Sequence, residues 1–352
     1  MTTPSPPAPG HSEAQLPAPL LAAARGHSEP LPCAPHEVVG ADGVPALGRF
    51  TGLAESFDWQ RLAAPHARTG WWRRFHHKRW HYAALATPEL FCAAAVVDVG
   101  WTNTAFAYVF DRAARRVVAS FSRDGIPGLT ASVAHSAHDE SRFALGGNQI
   151  ALSRQQLMVQ CKTFSIDARF DGGAAPVLLA VGEALGGSVH ATQKSGGLPL
   201  RGTMSGGGRV YRLDGGTASY DYSNGLLGRD TAWRWASAHG PGIGFNLQAG
   251  YFGAHENALW LDGRIYPLAD AHFEYEAADP LAPWHVTTSD GLLDLVFTPE
   301  GARREDRNLI VAATRYVQPI GTFDGWVRAD ADEPGVRVEA LAGVTEDHSS
   351  RW

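Results

Sequence analysis

Residues 256–268, ENALWLDGRIYPL, place two runs of β-favouring residues on either side of the Asp262-Gly263 pair. An Asp-Gly pair readily adopts the positive φ angles of a type I′ turn, whose twist suits two antiparallel strands. The segment therefore predicts a β-hairpin. Residues 284–299, WHVTTSDGLLDLVFTP, repeat this arrangement around Asp290-Gly291. Further Asp-Gly pairs begin at residues 42, 124, 171, 214 and 324.

The pattern extends beyond these two hairpins. Residues 78–121 read as four strands, in which Trp80, Tyr82 and Ala84 share one face. The composition, with 39 glycines, 22 prolines and 19% charged residues, is typical of many short strands joined by tight turns. Because no long stretch has the 3.6-residue period of a helix, we predict an all-β protein.

The chain of 352 residues is long enough for two domains. Residues 1–45 contain ten of the 22 prolines and are predicted to form a disordered tail. The glycine-rich interval 182–208 is expected to separate two antiparallel β-barrels, at residues 46–200 and 201–335. Residues 336–352 are then a C-terminal tail. A barrel of about eight strands can hold one small ligand.

Several classes of protein are disfavoured. The net charge of −6 gives no overall reason to expect nucleic-acid binding. The three cysteines are too few and too widely spaced for a disulfide framework, and the first residues lack a secretory signal pattern. The longest apolar run, residues 90–97, is too short to span a bilayer. We therefore predict a cytoplasmic protein that does not insert into membranes and whose protein partners are unknown.

The sequence also lacks the usual cofactor and metal motifs, so neither a cofactor nor a metal is predicted. The tightest histidine cluster, HSAHDE at residues 135–140, supplies no definite third ligand. Residues 59–88 combine six Lys or Arg and four His with many aromatic residues and no Asp or Glu. Such a segment could clamp a phosphate or stack on bases. Alternatively, its arginines pack flat on aromatic rings at a barrel mouth.

Residues 221–240, DYSNGLLGRDTAWRWASAHG, hold the candidate site. Trp233 and Trp235 would share one face of a strand and offer a broad apolar wall with two N–H donors. Beside these indoles, desolvation would make Asp221 hold its proton more tightly, as a general acid near neutral pH requires. The alternative interpretation is that Asp221 caps a turn and the tryptophans fill a core.

Further polar residues are expected around this wall. Asn224-Gly225 suits a turn that would bring its neighbours back across the indoles. We predict Asp221 as the catalytic residue, with Asp230 as its substitute. The predicted ligand-binding residues are Trp233, Trp235, Asn224, Tyr222, Thr231, Glu256 and Asn257.

These segments resemble a bacterial family called domain of unknown function 2804. The resemblance covers about residues 46–330 and rests on residues 78–85, 106–111, 221–240, 244–268, 284–305 and 318–327. The family is remotely similar to the lipocalin-like, double-barrel proteins that include carotenoid 1,2-hydratase (hydroxyneurosporene synthase). The resemblance implies two calycin-type β-barrels and no established activity.

The hydratase relatives carry a Tyr-x-Asp-x-x-x-Gly segment followed by Trp-x-Trp-Ser, and their aspartate is considered the proton donor to an alkene. Asp221 and Gly225 match the Asp and Gly, and residues 233–237 are compatible with the later motif. Ser219 stands at the tyrosine position, and the upstream His-x-Trp of the hydratases is missing. The resemblance therefore does not imply carotenoid hydration.

These observations lead to three functional hypotheses. The first is the binding of a hydrophobic small molecule, an isoprenoid or a fatty-acyl lipid, in a β-barrel cavity walled by Trp233 and Trp235. The second is a hydratase or isomerase in which Asp221 protonates a carbon-carbon double bond and the indole faces stabilise the carbocation. The third is a protein-interaction module without a ligand.

Overall fold

The computed structural model describes residues 29–308 and 313–352. Their secondary structure consists of antiparallel strands, a 3-10 turn at Trp59–Arg61 and one short helix, α1, at Gly70–His76. The strands are β1 Gly48–Thr51, β2 His77–Ala86, β3 Leu90–Asp98, β4 Asn103–Asp111, β5 Arg116–Asp124, β6 Ala131–Ser132, β7 Ser141–Leu145, β8 Asn148–Leu152, β9 Gln156–Gln160, β10 Phe164–Phe170, β11 Leu178–Glu183, β12 Val189–Gly206, β13 Arg209–Arg212, β14 Thr217–Leu226, β15 Asp230–Gly240, β16 Ile243–Gly250, β17 Ala258–Leu261, β18 Arg264–Pro267, β19 Ala271–Glu274, β20 Trp284–Thr288, β21 Leu293–Asn308, β22 Ala313–Val327 and β23 Val336–Arg351.

The strands form two sheets, each of which curls as a half-barrel around its own core. The first has the order β5-β4-β3-β2-β14-β12-β10-β9-β8-β7-β6, with β11 and β13 also paired to β12 and β1 paired to β11. The second has the order β18-β17-β16-β15-β23-β22-β21-β20-β19. All pairings between these strands are antiparallel, as the turn chemistry predicts.

Both predicted hairpins are confirmed. Strands β17 and β18 flank Asp262 and Gly263, whose φ angles of 49° and 77° are those a type I′ turn requires. Strands β20 and β21 lie on either side of Asp290-Gly291 in the same way. The four strands expected in residues 78–121 are β2 to β5.

The boundary between the two sheets differs from the expected one. Strand β12 covers most of the glycine-rich interval 182–208, and it and β14 both belong to the first sheet. The chain crosses to the second sheet between Leu226 and Asp230 rather than at residue 200. Glycines within β12 serve close packing instead of a linker, because a Cβ at Gly196 would lie 2.2 Å from the His239 ring of the second sheet.

The predicted tails also need correction. Residues 336–352 are not a tail, since Val336–Arg351 form β23, which pairs with both β15 and β22. At the other end, Val38 and Val39 are buried in the core of the first sheet, so the packed chain begins before residue 46. The rest of the predicted proline-rich tail, residues 1–28, lies outside the described residues.

Each strand presents alternate residues to two different environments. Ala83 and Leu85 point into the core of the first sheet, whereas Tyr82 and Ala84 point the other way. This second face packs against the second sheet through Ile320 and Val344. The shared face predicted for Trp80, Tyr82 and Ala84 is therefore the contact surface between the two sheets.

No helix within residues 29–308 or 313–352 combines the length and apolar composition that a membrane span requires.

Candidate functional site

A cavity of about 220 Å³ lies between the two sheets. Its walls come from β2 to β5, β12 and β14 on one side, and from β15, β16 and β21 to β23 on the other. The sequence hypothesis placed a cavity inside one barrel. The core of each sheet is instead filled by apolar side chains. The cavity lies where the outer faces of the two sheets are not in contact with each other. Its aromatic lining consists of Trp80, Tyr82, Phe106, Trp233, Trp235, Tyr251, Tyr316 and Trp352.

The paired indoles of β15 form part of this wall. Trp233 and Trp235 both line the cavity, as expected from their spacing along one strand. Trp235 donates from Nε1 to Asn246 Oδ1 at 2.8 Å, and Trp233 donates to Glu346 Oε1 at 3.0 Å. Because both N–H groups have protein partners, the ring faces are what the two indoles offer to the cavity.

A buried ion cluster occupies one part of the wall. Lys194 of β12 stands directly across from Asp221 of β14, and the two side chains form an ion pair. The same ammonium lies 3.5 Å from Glu256, in the connection between β16 and β17. Thr192 and Ser223 each donate to Asp221 Oδ1 at 3.0 Å. One lysine of the first sheet thus holds carboxyl groups from both halves of the protein.

The two carboxyl groups differ in how readily they ionise. Burial by itself would raise the pKa of Asp221, but the Lys194 ammonium and the hydroxyls of Ser223 and Thr192 together lower it below its usual value. Desolvation is also the largest influence on Glu256, and there the Asp221 charge adds to it, so its pKa is raised despite Lys194. When the cluster takes up a proton, Glu256 therefore accepts it before Asp221 does. This is the reverse of the role expected for Asp221 from sequence.

Lys194 stays charged in this setting. Burial opposes its positive charge, but Asp221 and Glu256 raise its pKa above the usual value. Two ionised carboxyl groups around one ammonium carry one negative charge in excess, so a proton taken up by Glu256 would make the cluster neutral. The cavity wall thus combines an ion pair with a second carboxyl group whose pKa is raised.

A second chain of hydrogen bonds links the two sheets beside the cavity. Tyr108 of β4 donates to Gln318 Oε1 at 2.5 Å, and Gln318 donates to Glu346 Oε2 at 2.8 Å. Glu346 in turn accepts from Trp233. These contacts hold the Trp233 ring in position, with the His348 ring stacked on it at 3.9 Å between centroids.

Arg303 of β21 lies on the same wall. Its guanidinium is 4.2 Å from the centroid of the Phe106 ring, within cation–π range. It also donates to Glu305 Oε2 at 2.6 Å and to the Tyr316 hydroxyl. The positive charge is therefore compensated within the wall.

Two polar groups beside the cavity have no partner. The Tyr82 hydroxyl and both polar atoms of the Gln248 amide are buried without a hydrogen bond to any described residue. Both side chains belong to the cavity lining. A buried polar group without a partner costs about 1–3 kcal/mol, so these groups favour a bound molecule that supplies one.

The remaining predicted residues lie elsewhere. Asn224 and Gly225 form no turn, because both belong to β14 and pair with β2. Asn224 accepts from Trp59 Nε1 at 2.8 Å, and Tyr222 donates to Ala134 O at 2.9 Å, on the core side of the first sheet. Alternation along the strand separates them from Asp221.

The other three residues have structural partners as well. Thr231 donates to Gly228 O and accepts from Trp352. The buried Asn257 accepts from the Gln248 N–H at 2.6 Å and donates to Ala269 O at 2.9 Å. Asp230, considered as a substitute for Asp221, is exposed and pairs with Arg351 on the surface. Of the predicted set, Asp221, Trp233, Trp235 and Glu256 line the cavity.

Sequence reasoning missed most of the polar lining residues, among them Lys194, Gln248, Arg303, Gln318 and Glu346. One signal was available for Lys194, an isolated lysine within the glycine-rich stretch that became β12. The others sit on strands that read as ordinary alternating segments. Within the described part of the chain, no group of three His, Cys, Asp or Glu side chains has an arrangement that could hold a metal ion.

Two solved structures share this fold. An AttH-like protein from Nitrosomonas europaea superposes with a TM-score of 0.53 at 13% identity, covering 82% of this chain and 96% of that one. Kievitone hydratase from Nectria haematococca superposes with a TM-score of 0.51 at 13% identity, covering 82% and 94%. At such identity the likeness shows the lipocalin-like fold alone. No curated protein matches the sequence at a significant level.

The sequence profile of one family matches residues 34–352, which is nearly the whole described chain. That range includes the two hairpins, the cavity-lining strands and the Asp221–Lys194–Glu256 cluster. The protein therefore belongs to the family described as Domain of unknown function (DUF2804).

Proposed function

We propose that this protein binds a small apolar molecule in the cavity between its two sheets. The observation that carries the proposal is a cavity of about 220 Å³ that is lined by eight aromatic rings. Small-molecule sites are typically concave, mostly apolar and equipped with a few polar groups that fix orientation. The cavity has these properties, with polar groups at the Lys194 cluster and at Tyr82 and Gln248.

The lining favours an isoprenoid or a fatty-acyl lipid as the class of ligand. Indole faces at Trp233 and Trp235 suit flat or branched hydrocarbon, and the N–H groups of both rings are already bonded to the protein. The unpartnered Tyr82 hydroxyl and Gln248 amide suit a single oxygen-bearing group on an otherwise apolar molecule.

Binding can be tested with β-ionone, an isoprenoid ketone, and with lauric acid, a fatty acid. We expect one of the two to quench the tryptophan fluorescence saturably, because four tryptophans line the cavity. Trp235→Ala should weaken its binding about tenfold or more, since aromatic side chains at the centre of a site carry much of the binding free energy. Native mass spectrometry of the purified protein, followed by organic extraction, identifies any molecule that co-purifies.

The matched control for this measurement is Trp71→Ala, which removes a tryptophan exposed on the surface and outside the cavity lining. It should change the total fluorescence but not the dissociation constant. Saturable binding that Trp235→Ala leaves unchanged would contradict the cavity as the binding site. If the protein purifies without a ligand, binds neither probe and is isolated together with another protein, the result would favour the hypothesis of a protein-interaction module.

A second candidate function is a hydratase or isomerase, and the buried Asp221–Lys194–Glu256 cluster favours it. A protonated carboxyl beside aromatic faces meets the requirement for proton donation to a double bond. The hypothesis from sequence gave this role to Asp221. The pKa directions favour Glu256 as the donor, with Asp221 and Lys194 holding the charges around it. The same fold occurs in kievitone hydratase.

The proposed step balances with water as the only co-reactant. The Glu256 carboxyl delivers its proton to one alkene carbon, and the π electrons form the new C–H bond. The adjacent carbon becomes a cation that faces the indole rings. Water adds to this cation, and the proton it loses returns to the Glu256 carboxylate. Loss of a neighbouring C–H proton in place of water addition would give isomerisation.

Variants of the two carboxyl groups distinguish the donor. With an alkene recovered from the purified protein as substrate, Glu256→Gln should abolish the addition of water to the alkene at every pH. Asp221→Asn should keep activity but confine it to more acidic pH, because Lys194 would then pair fully with Glu256 and lower its pKa. The measurement is the mass of the product across a pH series.

The exposed Glu339→Gln is the matched control and should behave as the wild type. The reverse pattern, with Asp221→Asn inactive at all pH values and Glu256→Gln active, would make Asp221 the donor. Ligand binding without any change in ligand mass would leave the binding proposal standing and remove the enzymatic one.

A further inference from the structure

The short helix α1 presents two distinct faces. Its sequence, GWWRRFH at Gly70–His76, lies inside the basic and aromatic segment 59–88. Thr69 caps its N-terminus by accepting from the Trp72 N–H. Residues three and four positions apart share a face of a helix, so Trp71 pairs with Phe75 and Trp72 with His76.

The inner face is fastened to the first sheet. The Trp72 and His76 rings stack at 3.7 Å between centroids, and Trp72 packs against the core. His76 Nδ1 lies 2.7 Å from the Leu227 carbonyl oxygen, and the Leu227 N–H donates to the His76 carbonyl. The orientation of the helix is therefore set by the fold, which leaves the other face outward.

The outer face exposes large aromatic rings. Trp71 is 75% exposed and Phe75 is 40% exposed, and their rings meet edge to face at 5.1 Å. The nearby loop exposes Leu185 by 64%. This loop adjoins the helix because the Gly187 carbonyl accepts from Arg68, whose guanidinium lies over the Trp72 ring. Exposed apolar side chains of this size that contact each other, as Trp71 and Phe75 do, mark an interaction surface.

The helix and the residues just before it carry three arginines without a carboxylate partner among the described residues. Arg68 and Arg73 donate to backbone carbonyls, Arg74 is exposed, and none of the three forms an ion pair with a described carboxylate. The carboxylates beside segment 59–88 lie against other residues: Glu37 pairs with Arg61, Asp98 pairs with Arg79, and Glu183 is 3.7 Å from His66. The local charge is thus opposite in sign to the net charge of −6.

We propose that the outer face of α1 docks onto an anionic lipid surface. Tryptophan and phenylalanine insert their rings at the interface between headgroups and acyl chains, while arginines meet the anionic headgroups. An apolar protein surface would bury the rings but would leave the three guanidinium groups without counter-charges. The proposal is independent of what the cavity binds.

The position of the helix connects this surface to the cavity. The Lys78 ammonium donates to two backbone carbonyls, Phe75 O at 2.8 Å and Val99 O at 2.7 Å. The same ammonium lies 5.5 Å from the centroid of the Trp352 ring, which lines the cavity. The C-terminal end of α1 therefore lies near the part of the cavity wall that Trp352 forms.

Vesicle co-sedimentation of the full chain tests the proposal. We expect binding to vesicles of equal parts phosphatidylcholine and phosphatidylglycerol, and little binding to phosphatidylcholine alone. Trp71→Ala with Phe75→Ala should lower the partition coefficient about tenfold, and Arg74→Glu should lower it about fivefold or more. Raised salt should weaken the binding, because the headgroup attraction is screened.

The matched control replaces Arg209 and Val210 of β13 by alanine, an exposed basic and apolar pair in the first sheet. It should sediment as the wild type does, and circular dichroism shows whether each variant is folded. Equal binding to neutral and anionic vesicles, or binding unaffected by the α1 variants, overturns the proposal. A dimer in analytical ultracentrifugation that Trp71→Ala dissociates would instead assign the face to a second copy of this chain.

Discussion

Lowering the pH from about 7.5 to about 5 should reduce the free energy of unfolding by several kcal/mol. His81, His190 and His239 are buried, and desolvation lowers their pKa values to about 4, about 3 and about 3. In the unfolded chain each takes up a proton near its usual pKa of about 6.5, which the folded protein resists. The stability from each histidine is therefore full above pH 6.5 and is lost as the pH falls towards the folded value. At pH 5 the loss is roughly 2 kcal/mol for each residue.

Urea unfolding at several pH values, followed by tryptophan fluorescence, measures this slope. Below pH 6.5, His239→Asn should reduce the number of protons that the protein takes up on unfolding by about one, whatever its effect on stability at neutral pH. His272→Asn, at an exposed position, is the control and should leave the slope unchanged. Glu256 acts in the opposite direction, since its raised pKa favours the folded state at low pH. A free energy of unfolding that stays constant or rises as the pH is lowered from 7.5 to 5 would contradict the lowered pKa values of the buried histidines.

Lys194→Met should destabilise the protein by about 3–5 kcal/mol at neutral pH. The ammonium is the counter-ion of buried Asp221 and lies 3.5 Å from Glu256, so its loss leaves Asp221 ionised without a partner or forces it to take a proton. The folded pKa of Asp221 then rises above its unfolded value. The penalty of the substitution is accordingly largest at neutral pH and disappears as the pH falls below the unfolded pKa of about 4.

Urea unfolding of Lys194→Met at neutral and acidic pH tests this expectation. Adding Asp221→Asn should recover much of the lost stability, because the double variant has no unpaired charge at the cluster. Arg337→Met is the matched control, since its ion pair with Glu339 is exposed and should contribute less than about 1 kcal/mol. A loss no larger than that of the control would mean that Lys194 does not hold the cluster together.

The hairpins were predictable because they depend on neighbours along the chain. Asp262-Gly263 sets a turn by its own backbone preferences, and the runs beside it alternate with the period of a strand. The shared face of Trp233 and Trp235 follows from the same period. Asn224-Gly225 shows the limit of such reasoning, because pairing of β14 with β2 and β12 overrode its preference for a turn.

The sequence by itself determined the strands, most of their turns, the all-β class and the shared face of Trp233 and Trp235. Each of these features depends on residues a few positions apart. Only the tertiary structure decided that the cavity lies between the sheets, that Lys194 meets Asp221 and Glu256, and that Glu346 holds Trp233. These contacts join residues separated by 27 to 113 positions. The lowered pKa of Asp221 and the raised pKa of Glu256 have the same origin: burial affects both carboxyl groups, and the place of the Lys194 ammonium, set by strand register and sheet packing, distinguishes them.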